Sequence, residues 1–168
     1  MSAPLVLLHG WGLSSAVWAP LTTQLSSDLT IHTPDLPGHG AAPAAGETLT
    51  DWADALIPAL PDGATVVGWS LGAQLALHLA AHAPHKVARL VLIAASPRFV
   101  QADNWPTAIP VDTLTEFRQS FDLDPAATQR RFVALQALGD AARREVSATL
   151  TAAVTPAGSR PVPSSETV

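Results

Sequence analysis

The stretch Ala64-Thr65-Val66-Val67-Gly68-Trp69-Ser70-Leu71-Gly72, continuing as AQLALHLA to Ala80, decides the fold. Its first half is a short apolar run, the texture of a strand buried on both faces. Its second half sets Leu71, Leu75 and Leu79 on one helical stripe, with Ala73, Ala76 and Ala80 allowing close packing on a sheet. Between the halves, the G-x-S-x-G run turns the chain sharply from strand to helix. Its two glycines remove side chains that would collide in such a turn and leave Ser70 projecting at the apex. A serine so placed can act as a nucleophile, and the helix N-terminus behind it favours a developing oxyanion. The other role open to Ser70 is to cap that helix.

Working outward, apolar runs recur at Pro4–Leu8, Leu29–Thr33 and Val87–Ala94, and helical spacing at Ser14–Leu25 and Thr50–Leu60. Strands apolar on both faces and separated by helices predict an α/β fold, a parallel-rich sheet with helices on both sides. Ala64–Gly68 must lie inside that sheet to present Ser70 over the crevice at its end. After Ala95 the texture changes. Ser96–Pro110 carries Pro97, Pro106, Pro110 and Trp105 and reads as a long loop. Three helical segments follow: Thr113–Phe121 with the capping pair Thr113 and Glu116, a helix capped by Asp124 and Pro125 that runs to Leu138, and Asp140–Val154. The expected organisation is a core over residues 1–110, a helical cap over 111–154, and a Pro/Ser-rich disordered tail over 155–168.

Composition narrows the chemistry. The 168 residues include no cysteine, which removes disulfides, thiolate metal sites and a cysteine nucleophile. A net charge of −5 with nine Lys and Arg argues against a nucleic-acid partner. No apolar run reaches the roughly 18 to 20 residues that span a bilayer, so no membrane partner is expected. The start MSAPLVLLHG lacks a basic n-region, which predicts a cytoplasmic setting. No cluster has metal-ligand spacing, and ester hydrolysis by a serine needs only water as second substrate, so neither a metal nor a cofactor is expected.

Two further motifs surround the serine. His9-Gly10-Trp11-Gly12 follows the first strand, and the N–H groups of Trp11 and Leu71 are the expected pair of oxyanion-hole donors. His9 is read as bracing this loop by hydrogen bonding rather than as a proton carrier. Asp35-Leu36-Pro37-Gly38-His39-Gly40 reads as a structural turn in which Asp35 accepts backbone hydrogen bonds.

These motifs, in this order, resemble the α/β-hydrolase family. LVLLHGWGLSSAVW, the DLPGHG loop, GWSLG, Ser96-Pro97-Arg98-Phe99, Asp103-Asn104-Trp105-Pro106 and Arg131-Phe132-Val133-Ala134-Leu135-Gln136 narrow the likeness to residues 4 to 150. Within that family they resemble the biotin-synthesis carboxylesterases that act on the methyl ester of pimeloyl-[acyl-carrier protein]. The resemblance implies an acyl ester substrate bound by Trp11, Ser70 and Leu71, with Phe132, Val133, Ala134, Leu135 and Gln136 lining an acyl channel. Packing of those five within the helical segment's own core is the alternative. An acidic acyl-carrier protein as partner would need a basic patch, for which Arg131 and Arg144, beside Arg130 and Arg143, are the candidates. Pairing of these arginines with Asp140 and Glu145 is the competing reading.

The family's chain order is Ser…Asp/Glu…His. Here the histidines are His9, His32, His39, His78, His82 and His85, and none follows residue 85. His78 lies roughly 12 Å along the helix axis from Ser70, out of hydrogen-bond reach. The sequence therefore leads to the expectation of a truncated or frame-shifted product, or a fragment of a longer enzyme, with negligible turnover. A non-catalytic hydrolase-like protein, or another hydrolase of the fold such as a lactonase or C–C hydrolase, stands as the alternative.

Overall fold

The computed structural model describes residues 3–155. Four parallel strands, β1 (Leu5–Leu8), β2 (Ile31–His32), β3 (Ala64–Trp69) and β4 (Val87–Ile93), form one sheet in the order β2-β1-β3-β4. The serine-bearing strand β3 is interior: Val66 is opposite Val6 on one side and Leu90 on the other. Chain order reverses between β1 and β3, because β1 connects outward to β2 while β3 connects outward to β4. In open parallel sheets the crevice beyond the strand ends at such a reversal is where ligands bind. The His9–Gly12 loop and Ser70 both emerge there.

The helices are α1 (Ala19–Thr22), α2 (Leu49–Leu56), α3 (Leu71–His82), α4 (Val111–Leu123), α5 (Pro125–Gln136) and α6 (Arg143–Ala152). The main core gathers Val6 and Leu8 of β1, Val66 of β3, Trp52 and Leu56 of α2, and Leu75 and Leu79 of α3. A second cluster joins Leu13 to Val133, Leu150 and Ala153, so the α5–α6 segment packs against the loop that leaves β1.

Several boundaries differ from the sequence reading for local reasons. The expected helix Ser14–Leu25 is a 3-10 turn over Ser15–Trp18 followed only by the single turn α1. Thr22 and Thr23 hydroxyls and the Gln24 amide donate to the Ala19 and Pro20 carbonyls, taking backbone acceptors that a longer helix would need. α2 opens with a reciprocal capping box between Thr48 and Asp51 and tightens into a 3-10 turn at Ile57–Ala59, where Pro58 cannot donate. α4 begins at Val111 with Pro110 before it, so Thr113 and Glu116 lie inside the helix and do not cap it. Asp124 does cap α5, accepting from Ala127 N–H at 2.9 Å. α6 starts at Arg143, because Gly139 turns at φ 85° and Asp140 accepts from Ala142 N–H at 2.7 Å.

Thr155, at the start of the expected disordered tail, is buried and hydrogen-bonded into the β1 loop. The rest of that expected tail lies outside the described residues. β4 forms the edge of the sheet, and Val91, Leu92 and Ile93 are each more than 40% exposed. No helix among the described residues is long and apolar enough to cross a membrane.

Candidate active site

Ser70 follows the last residue of β3 and precedes the first of α3, with φ 54° and ψ −114°. An L-residue reaches that backbone only under constraint. The constraints are visible. Ser70 N–H donates to the Ile93 carbonyl at 2.9 Å, while the Ser70 carbonyl accepts from Ala73 and Gln74 N–H at 2.9 and 3.1 Å. A Cβ on Gly68 would run into the Gly72 carbonyl oxygen and the Ala73 backbone, and one on Gly72 into the Leu8 and His9 carbonyls. Both glycines are therefore required by close backbone approach. The Ser70 side chain makes no capping hydrogen bond to α3.

The His9–Gly12 loop lies directly beside this turn, since a Cβ on Gly10 would touch the Ser70 Cβ at 3.7 Å. His9 is fully buried. Its Nδ1 lies 2.8 Å from the Gly10 carbonyl, and its Nε2 accepts from Leu36 N–H at 3.0 Å. That pattern fixes the tautomer with the proton on Nδ1. Burial pushes the His9 pKa down to about 4, against the opposing hydrogen bond to Gly10. The 3.8 Å approach of Nε2 to Asp35 is no ion pair, because the Leu36 N–H occupies the Nε2 lone pair. Asp35 instead accepts from Ser15 N–H at 2.6 Å and Ala41 N–H at 2.9 Å. Partial burial raises its pKa, but these hydrogen bonds outweigh that and hold it below the usual carboxylate range. The bracing histidine and the structural aspartate expected from sequence both take those positions.

Trp11 and Leu71 are both buried, and neither backbone N–H donates within the chain among the described residues. Buried N–H groups are rarely left unpaired. Trp11 belongs to the loop beside the strained, uncapped serine, and Leu71 follows that serine directly in the chain. The Trp11 ring is enclosed by Phe117 and Phe121 of α4 and Phe132 of α5, edge-on at centroid distances of 5.1, 5.5 and 5.3 Å. Its Nε1 is buried without a partner.

The five α5 residues named from sequence separate in space. Phe132 meets Trp11, and Val133 joins the buried cluster around Leu13. Ala134 and Leu135 face solvent, Leu135 at 65% exposure. Gln136 is half-buried with an unpaired Nε2. Arg130, Arg131, Arg143 and Arg144 are exposed, and among the described residues none forms an ion pair with Asp140 or Glu145. No histidine hydrogen-bonds Ser70; the Nε2 of His78 instead lies 3.3 Å from Thr50 Oγ1.

Sequence reasoning missed the residues that hold the oxyanion loop from outside. Gln129 Nε2 donates to the Gly12 and Thr155 carbonyls, each at 2.8 Å. Thr155 N–H donates to Gly12 O at 3.0 Å, and its hydroxyl bridges Leu13 O and Gly40 N–H. Phe117 and Phe121, spaced i and i+4 on α4, were legible as a stripe; the buried polar links were not.

Comparisons with known proteins agree with this architecture. The family model described as the alpha/beta hydrolase family matches residues 5–167. A pimeloyl-[acyl-carrier protein] methyl ester esterase from Aromatoleum aromaticum is 59% identical over 155 residues, covering 89% of this chain and 62% of that protein. The protein of the same name from Chromobacterium violaceum is 45% identical over 141 residues, covering 83% of this chain and 56% of its own length. The chain thus spans about three fifths of these relatives. Among solved structures, an esterase from Exiguobacterium antarcticum matches with TM-score 0.71 at 23% identity, over 91% of this chain and 62% of that one. A bromoperoxidase from Bacillus anthracis matches with TM-score 0.73 at 21% identity, over 95% and 64%. These two show the fold alone. By sequence, motif and sheet topology, the chain belongs to the alpha/beta hydrolase family.

Proposed function

We propose that the protein is a serine carboxylesterase acting on the methyl ester of pimeloyl-[acyl-carrier protein]. In this reading Ser70 Oγ attacks the ester carbonyl and the N–H groups of Trp11 and Leu71 hold the oxygen as it gains charge. Methanol leaves with the proton taken from Ser70, and water then cleaves the acyl–serine ester, releasing pimeloyl-[acyl-carrier protein] with a free carboxyl group and restoring the serine hydroxyl. The observation that carries the reading is the strained Ser70 turn beside two buried, unpaired N–H groups, in a chain 59% identical to a relative of that name. Residues 111–154 act as the cap, with Phe132 against Trp11 closing the acyl slot and Arg131 and Arg144 free to meet an acidic carrier.

Among the described residues no histidine hydrogen-bonds Ser70. That observation favours a second reading for the 168-residue chain by itself, in which it binds acyl groups without turnover. A chimera that adds the part of the Aromatoleum relative this chain does not match tests the substrate. It should hydrolyse the carrier-linked methyl ester, and R131E with R144E should lower kcat/KM for that ester but not for free dimethyl pimelate. Equal loss on both esters, or none on either, would remove the carrier from the reading.

A further inference from the structure

At the far end of α3 from Ser70, two pairs of side chains face each other across the α2–α3 packing. Thr50 and Asp54 stand one turn apart on α2, and His78 and His82 stand one turn apart on α3. The two imidazoles are stacked, with centroids 5.5 Å apart and planes 21° apart. His82 Nε2 lies 3.0 Å from Asp54 Oδ1, and His78 Nε2 lies 3.3 Å from Thr50 Oγ1. The group is open to solvent, with the His82 and Asp54 side chains 40% and 61% exposed.

Two histidines at i and i+4 on one helix face are the spacing with which helices chelate zinc. We propose that this face binds one divalent transition-metal ion, with His78 and His82 as nitrogen ligands and Asp54 as the oxygen ligand. Imidazole and carboxylate together suit Zn²⁺ or Ni²⁺, whereas Mg²⁺ and Ca²⁺ require an all-oxygen set that this cluster lacks. The Asp54–His82 separation matches neighbouring ligands on one ion, since metal–N and metal–O bonds of about 2.0 to 2.2 Å place their ends about 3 Å apart. As they stand the donors are paired with one another, and among the described residues no group of three or more His, Asp or Glu side chains is placed to hold a metal ion. Binding requires the His78 ring to swing off Thr50 toward His82, a side-chain rotation at a half-exposed position. The sequence reading finds no cluster with metal-ligand spacing because His78 and His82 alone are two ligands; only the packing of α2 on α3 brings Asp54 to them.

Zinc chloride titrated calorimetrically into the untagged chain should give one ion per chain, and magnesium chloride should give none. His78→Ala and His82→Ala should each abolish the binding, Asp54→Asn should weaken it roughly ten- to hundredfold, and Thr50→Ala should leave it intact. Zn²⁺ should also protect His78 and His82, but not the exposed His85, from diethyl pyrocarbonate in the unaltered chain, which keeps the test valid if a variant unfolds. Absence of zinc binding, binding that survives loss of both histidines, or equal protection of His85 overturns the proposal.

Discussion

Ser70 is held at φ 54° by the carbonyl of Ile93, which accepts its N–H at 2.9 Å from the neighbouring strand. The turn thus depends on β4 as well as on its own glycines. A non-glycine residue in such backbone costs about 1 to 3 kcal/mol, whereas glycine's extra unfolded-state freedom costs only about 0.5 to 1 kcal/mol. Ser70→Gly should therefore stabilise the chain by about 1 kcal/mol in urea unfolding, and Ser70→Ala should be near neutral. Destabilisation by Ser70→Gly would contradict stored strain.

Gly72→Ala should act in the opposite sense. Its Cβ meets the Leu8 and His9 carbonyls, which are backbone and cannot rotate away. Overpacking of this kind costs about 3 kcal/mol, the upper part of its usual range. The same change at Gly63, where a Cβ meets nothing but φ is 63°, should cost only about 1 kcal/mol. Urea midpoints compared at constant slope give both values.

Stability should rise between pH 4 and 6.5. His9 takes up its proton near 6.5 when unfolded but at about 4 when folded, so across that window the unfolded chain binds more protons. The stability is fully present above the unfolded pKa and is lost as pH falls through the window toward the folded one. At 1.36 kcal/mol per unit the span is roughly 3 kcal/mol, and His39, also lowered by burial, adds in the same direction. His9→Gln should flatten the profile; an unchanged slope would assign the dependence elsewhere.

How far these features were legible in the sequence follows from the range of the forces involved. The strands, the interior place of β3 and the bracing role of His9 came from local pattern and turn chemistry. The Thr113–Glu116 cap failed because Pro110, with its fixed φ, starts α4 two residues earlier. Phe132 and Leu135 sit three apart on α5 yet only Phe132 is covered, because spacing does not say how wide the buried stripe is. Gln129 and Thr155 were invisible for a different reason: their partners lie more than a hundred residues away at Gly12, Leu13 and Gly40.

That long-range network should be costly to open. Gln129→Leu takes the side-chain donor from the Thr155 carbonyl, whereas the Gly12 carbonyl keeps the Thr155 N–H. One unsatisfied buried group costs about 1 to 3 kcal/mol, and a loss of about 2 kcal/mol is expected. Thr155→Val, which removes the hydroxyl donor from the buried Leu13 carbonyl, should cost about 1 to 2 kcal/mol. Loss below about 0.5 kcal/mol in both would mean that water replaces them.

The open edge of β4 should also be felt in solution. Among the described residues no strand pairs with the outer side of β4, where Val91, Leu92 and Ile93 are exposed, and such an edge is a template for association. Sedimentation should show dimers or larger species, and Val91→Lys should shift them toward monomer.

The central claim is that Ser70 is the nucleophile of the proposed esterase and that no histidine among the described residues serves as its base. Intact-mass analysis after exposure to a fluorophosphonate addresses it most directly. The chimera completed from the Aromatoleum relative should gain one adduct, located on Ser70 and absent in Ser70→Ala. The 168-residue chain should react far more slowly, since loss of the triad histidine costs about 10⁶ in turnover. An adduct on another residue, or labelling of the 168-residue chain as fast as the chimera, would contradict the account.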